Sequence, residues 1–137
     1  MKTLITILFA RLVKQRNNKW ITNPLKFQAE TFNKLLKKAI NTEFGKDHNF
    51  SGIKNYKDFQ NQVPIRDYEA LKPYVDRVVA GEKNILWPGQ PLYFAKTSGT
   101  TSGAKYIPIT KESIRTHINS ARDALLNYFL KTKNYSP

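Results

Sequence analysis

Cysteine is absent from the sequence, which excludes a disulfide scaffold, a thiol nucleophile and any thiolate zinc site. The two histidines, His48 and His117, are too few for most histidine-based metal sites, and they read as surface or internally satisfied side chains rather than bases. Negative charge is scarce: ten Asp plus Glu stand against 23 Lys plus Arg, a formal net charge of +13 on 137 residues. Long apolar runs are lacking as well. The stretch from Leu4 to Ala10 imitates a leader peptide, but Arg11, Lys14, Arg16 and Lys19 follow at once and no small-x-small cleavage site ends it. It is also far short of the about 20 residues of a membrane span. The expected compartment is the cytoplasm, with no transmembrane segment.

What is present suffices for a core. Leu, Ile, Val and Phe together supply 36 of 137 residues, above the roughly 20% below which disorder is expected. The positive charge is spread along the chain, with 12 basic and 4 acidic groups in residues 1–60 and 11 and 6 in the remainder. No basic tail stands out, so the excess reads as a lysine-rich solvated surface. Such a field attracts polyanions. There is, however, neither an RNP-type aromatic pattern nor a zinc finger to indicate a nucleic-acid module.

Read along the chain, the first 90 residues are mainly helical. Leu4, Leu8, Phe9, Leu12 and Val13 fit one face of a helix that docks on its own protein, contact of residues 1–20 with a membrane surface being the alternative. Asn23-Pro24 starts a second helix, in which Leu25, Ala29, Phe32, Leu36, Ala39 and Ile40 recur at three or four residues and which Gly45 stops. A short helix carries Tyr56 and Phe59 and ends at Pro64. Asp67 to Leu71 predicts about one helical turn, with Pro73 starting a separate segment that Gly81 ends. Two strands follow, 91–97 and 105–109, with Pro108 demoting the second to an edge. Thr110 caps a last helix whose buried stripe is Ile114, Ile118, Ala121, Leu125 and Phe129. The expected class is α+β: a helical N-terminal segment, a β-hairpin and a further helix. No linker divides the chain, so residues 1–137 read as part of one domain.

The chemistry concentrates between the two strands. Thr97 to Lys105 holds five hydroxyls, two glycines and a lysine in nine residues. Glycine lets backbone amides turn toward a phosphate, hydroxyls donate to its oxygens, and lysine supplies a mobile positive charge. This is not a Walker P-loop. Counting from Gly99, that pattern requires Gly at 104 and Ser or Thr at 106, where the chain has Ala104 and Tyr106, and a strand rather than a helix follows. From composition alone an exposed polar hairpin loop remains an equal reading.

The order Thr97-Ser98-Gly99-Thr100-Thr101-Ser102-Gly103-Ala104-Lys105 resembles the phosphate loop of the adenylate-forming superfamily, roughly Thr-Ser-Gly-Thr-Thr-Gly-x-Pro-Lys. Ser102 and Ala104 depart from it. Together with Lys105-Tyr106-Ile107-Pro108 they resemble instead the Gretchen Hagen branch, the auxin-responsive promoter family of acyl acid amido synthetases. Asn41 to Lys46, Val63 to Glu69 and Gly81 to Leu86 resemble that family in the same order, over roughly residues 23–125.

The resemblance implies an ATP-dependent ligase that activates a carboxylic acid as an acyl-adenylate and passes it to an amine or amino acid. It implies ATP and magnesium as cofactors. It assigns Ser98, Gly99, Thr100, Thr101, Ser102 and Gly103 to the ATP phosphates and places Lys105, the candidate catalytic residue, near the β/γ-phosphates. Tyr68, Tyr74 and Trp87 read as packing, and Asp67 and Glu69 as serving a helix start. The family's enzymes are several times this length, so the adenine, ribose and magnesium contacts are expected downstream, no metal ligand is assigned here, and the chain alone is expected not to turn over. Two readings compete: another adenylate-forming enzyme such as an acyl-CoA ligase, and a non-enzymatic basic module that binds nucleic acid or a membrane surface. The acid, the amine and the oligomeric state are not encoded in these motifs.

Overall fold

The computed structural model describes residues 2–98 and 103–133. Among them are six α-helices and one antiparallel hairpin, in the order α1 (Lys2–Thr22), α2 (Pro24–Ala39), α3 (Glu43–Asp47), α4 (Tyr56–Gln62), α5 (Tyr68–Val79), β1 (Tyr93–Thr97), β2 (Lys105–Ile109) and α6 (Lys111–Thr132). A single 3-10 turn, Phe50–Gly52, lies between α3 and α4. The mainly helical chain with one hairpin and a further helix matches the expected α+β class. The residues gather into two compact units, Met1–Glu30 with Glu112–Pro137, and Thr31–Lys111.

In the first unit α1 packs on α6. The buried side chains are Ala10, Val13 and Leu126, with Phe129 and Leu130 packed against them. This corrects two expectations. Of the expected face of α1 Val13 is buried, but Leu4, Leu8, Phe9 and Leu12 are exposed, and Ala10 and Asn17 are buried beside Val13. On α6, Phe129 of the expected stripe packs on this core and Ile114 is half-buried, whereas Ile118, Ala121 and Leu125 are exposed and Leu126, outside the stripe, is buried. Both helices carry apolar residues on more than one side, so spacing alone does not choose the packed face. A polar network selects it: Asp123 Oδ2 accepts from Arg16 at 2.8 Å and from Asn17 Nδ2 at 3.1 Å. Asn23 also departs from expectation. Its side-chain amide donates to Lys19 O at the end of α1 and to Thr22 Oγ1, rather than accepting from the first turn of α2.

The second unit is built on an aromatic core. Leu36, Ala39 and Phe50 are buried, with Phe32, Phe44, Phe59 and Trp87 among the side chains packed against them. Phe32 meets Phe59 edge-on at 5.5 Å, and Phe44 meets Phe50 and Tyr74 edge-on at 5.9 and 5.2 Å, the geometry that ring quadrupoles favour. The turn from α2 to α3 is closed by Thr42, 1% exposed. Its Oγ1 donates to Ala39 O at 2.6 Å and accepts from Gly45 N at 3.0 Å. The stop of α2 is therefore at Ala39, and Gly45 lies inside α3 rather than capping α2. A Cβ at Gly45 would stand 2.0 Å from Ala39 O, so this glycine answers to space.

Glu43 N and Phe44 N donate to Asn84 O and Ile85 O, which ties the irregular stretch after α5 to the start of α3. The same stretch closes on itself through Asn84 Oδ1, which accepts from Gly89 N at 2.7 Å.

Helix α5 runs unbroken through Pro73, against the expectation of two segments. Proline forfeits one N–H bond in a helix interior, while the capped first turn and the Lys72–Asp76 pair at 2.6 Å support the helix on either side. Its end is as expected: Gly81 has φ +94°, Gly81 N donates to Val78 O, and Glu82 N donates to Arg77 O, the double closure of a left-handed cap.

Candidate phosphate-binding hairpin

Strands β1 and β2 pair in the register Tyr93↔Ile109, Phe94↔Pro108, Ala95↔Ile107, Lys96↔Tyr106 and Thr97↔Lys105. β-branched and aromatic residues favour this extended pairing. The register makes residues 98–104 the connection, longer than the two to five residues of most hairpin loops. A longer connection is where a hairpin departs from pure turn chemistry.

Six of the assigned residues, 98–103, fall within this connection. Ser98 is exposed directly after β1, and Gly103 is exposed two residues before β2. Gly103 has φ +77° with open space where a Cβ would be, so the backbone conformation selects glycine there rather than crowding. Gly99, Thr100, Thr101 and Ser102 lie outside the described residues. Lys105 is half-buried at the first position of β2, directly across from Thr97.

A side chain of helix α5 braces the hairpin. Tyr68, the first residue of α5, accepts the backbone N–H of Tyr106 on its hydroxyl at 2.8 Å. The Lys105 ammonium lies over the Tyr68 ring, 5.4 Å from its centre, within the range of a cation–π contact. The start of α5 is itself fixed, because Asp67 caps it by accepting from Ala70 N at 2.9 Å. That role for Asp67 was legible from sequence; the tie from Tyr68 to the hairpin was not. Tyr68 is therefore more than packing. The only advance signal was a tyrosine next to a helix cap in a segment that resembles the family.

On β2, Tyr106 carries a second such pair, with Lys96 Nζ 5.8 Å from its ring and Phe94 edge-on at 6.3 Å. Two lysines thus stand on aromatic rings at the end of the hairpin where the loop begins.

The remaining candidates are structural. Tyr74 Oη donates to Asp47 Oδ2 at 2.6 Å. Burial pushes the Tyr74 phenol up, and the Asp47 bond adds to this, against a smaller opposing effect of Arg66. His48 is buried, its Nδ1–H donates to Phe44 O at 2.8 Å, and its ring stacks on Phe44 at 4.0 Å. It is the satisfied histidine expected. Trp87 packs on the aromatic core, with Lys38 Nζ 5.8 Å from its ring. No group of three or more His, Asp or Glu side chains placed to hold a metal ion occurs among the described residues. No helix among them is long and apolar enough to cross a membrane.

Comparison with known proteins meets this geometry from another side. The model of the GH3 family N-terminal domain matches residues 13–136. The chain is 31% identical over 94 residues to an indole-3-acetic acid-amido synthetase, GH3.2 of Arabidopsis thaliana, covering 67% of this chain and 17% of that protein. It is 32% identical over 89 residues to a jasmonoyl–L-amino acid synthetase, JAR4 of Nicotiana attenuata, covering 64% and 15%. A jasmonoyl–L-amino acid synthetase of Oryza sativa subsp. japonica is 24% identical over 110 residues, covering 79% and 18%. The chain thus spans less than a fifth of the length of these relatives. A family match that runs from within α1 to beyond α6, and so takes in the hairpin and the helix that braces it, places the chain in the GH3 family.

Proposed function

We propose that this chain is the N-terminal part of a single adenylate-forming domain, in a cytoplasmic ATP-dependent ligase that joins a carboxylic acid to an amine or amino acid. The observation that carries the reading is the hairpin. It sets Thr97, Ser98, Gly103 and Lys105 around one loop, in a family whose relatives are named amido synthetases. The composition of that loop, rich in hydroxyls and glycine beside a lysine, suits a triphosphate.

In this reading the acid's carboxylate oxygen bonds to the α-phosphorus of ATP while the bond to the bridging oxygen breaks and pyrophosphate leaves. The amine nitrogen then bonds to the acyl carbon, AMP leaves, and the nitrogen loses a proton. The first step gathers negative charge on phosphate and is helped by donors already in position. Ser98 and the hydroxyls and amides of residues 99–103 hold the phosphates. Lys105 sits at the β/γ end and offsets the charge that departs with pyrophosphate. Magnesium, which the reaction class uses to neutralise phosphate charge, would arrive with the nucleotide. The described residues do not form a cluster for it, and no step here depends on its position.

The test is ATP–pyrophosphate exchange by the full-length enzyme carrying Ser98→Ala, Thr101→Ala and Lys105→Ala together. The reading expects exchange to fall on the order of a hundredfold or more, the scale on which loss of a single such donor acts. Exchange at the wild-type rate would remove the loop from the site.

A further inference from the structure

We propose that Tyr68 is a positioning residue for the phosphate-binding lysine, acting from helix α5 on β2. The inference rests on the reading of Lys105 given above and deepens it. Lysine is a compact charge on a flexible stem, and ordering it costs rotamer entropy. Tyr68 limits that freedom at both ends. Its hydroxyl takes the backbone N–H of Tyr106 at 2.8 Å, which fixes the strand one residue beyond Lys105. Its ring lies 5.4 Å from the Lys105 ammonium, so the charge is parked beside the loop before any ligand arrives.

The support beneath Tyr68 is rigid. Asp67 caps the first turn of α5, Val75 and Val78 of the same helix are buried, and the left-handed closure at Gly81 holds its far end. The hairpin needs such a brace. All five residues of β1 are exposed, β2 has no buried residue, and two strands alone are only marginally stable. The amide that Tyr68 takes belongs to a residue 38 positions away, so the contact ties two distant parts of the chain at the residue next to the lysine. Tyr68 touches no reacting atom in this scheme. It acts by reducing the disorder that Lys105 would otherwise lose on meeting phosphate.

The experiment is a double-mutant cycle on the full-length enzyme with Tyr68→Phe, Lys105→Ala and both, read as KM for ATP and kcat of pyrophosphate exchange, with the melting temperature of each. Tyr68→Phe keeps the ring and removes the hydroxyl. It is expected to raise KM for ATP roughly three- to tenfold, the scale of one lost hydrogen bond, and to add little to Lys105→Ala. Effects that multiply across the cycle, or a KM unchanged by Tyr68→Phe while Lys105→Ala is defective, overturn the role of Tyr68 and leave the loop reading intact. Full exchange by Lys105→Ala overturns both, through the lysine.

Should Tyr68→Phe not fold, amide hydrogen exchange at Tyr106 in the wild-type enzyme without ATP replaces it. The proposal expects this N–H, bonded to the Tyr68 hydroxyl, to be protected before any nucleotide is added. Exchange at the rate of an open peptide contradicts it.

Discussion

Asn17 on α1 and Asp123 on α6, 106 residues apart, share a 3.1 Å hydrogen bond at a half-buried point of their helix pair. Arg16 reaches the same carboxylate at 2.8 Å, and Arg122 contacts its other oxygen at 2.8 Å. Burial pushes the Asp123 carboxyl up, but the bonds from Arg122 and Asn17 and the charges of Arg122 and Arg16 outweigh it, so it stands below its ordinary 3.8. A carboxyl depressed by folding stabilises the fold above its unfolded pKa and loses that contribution as pH falls through its folded value. The contact should therefore be fully in force near neutrality and weaken below about pH 4. Asp123→Asn should cost about 1 kcal/mol at pH 7 and flatten the fall in stability between neutral and acid pH. Chemical denaturation followed by circular dichroism at several pH values checks both. An unchanged acid profile would mean that the carboxylate does not hold the helices.

Gly45→Ala sets two effects against each other. Alanine gains about 1 kcal/mol of helix propensity over glycine. Its Cβ, however, would sit 2.0 Å from the Ala39 carbonyl oxygen, a backbone atom fixed by Thr42. Overpacking of this kind costs about 1–3 kcal/mol, and more where backbone must move. The clash should win, with a net loss near 2 kcal/mol visible as a lower melting temperature. A stabilised variant would mean that the α2–α3 turn is not closed in this way.

The packed face of α6 can be read by comparing neighbours. Leu126 is 7% exposed and Leu125 is 52% exposed. Leu126→Ala should destabilise by about 2–5 kcal/mol, whereas Leu125→Ala should change stability by less than about 1 kcal/mol. Equal losses, or the reverse order, would restore the stripe expected from spacing.

Much of this architecture was legible because local chemistry decided it. Asp67 as a cap, Gly81 as a left-handed terminator and the two strands around the hydroxyl-rich loop each depend on neighbours within a few residues. The faces of α1 and α6 were not legible, since apolar side chains surround the first half of α1 and the choice rests on Asn17 meeting Asp123 across the chain. Gly45 misled because glycine near a helix end usually signals a left-handed residue, whereas here it admits a carbonyl. Pro73 misled because a supported helix tolerates one missing N–H. In the candidate site the loop was recognisable by its order of residues. Its brace was not, because nothing in the spacing of Tyr68 and Lys105 announces that a ring and an ammonium meet.

The most direct test of the central claim is a crystal structure of the full-length enzyme with ATP or a non-hydrolysable analogue. The account predicts the triphosphate within hydrogen-bonding distance of residues 98–103, with the Lys105 ammonium at its β/γ end. A triphosphate bound elsewhere, with the connection between β1 and β2 facing solvent, would contradict it.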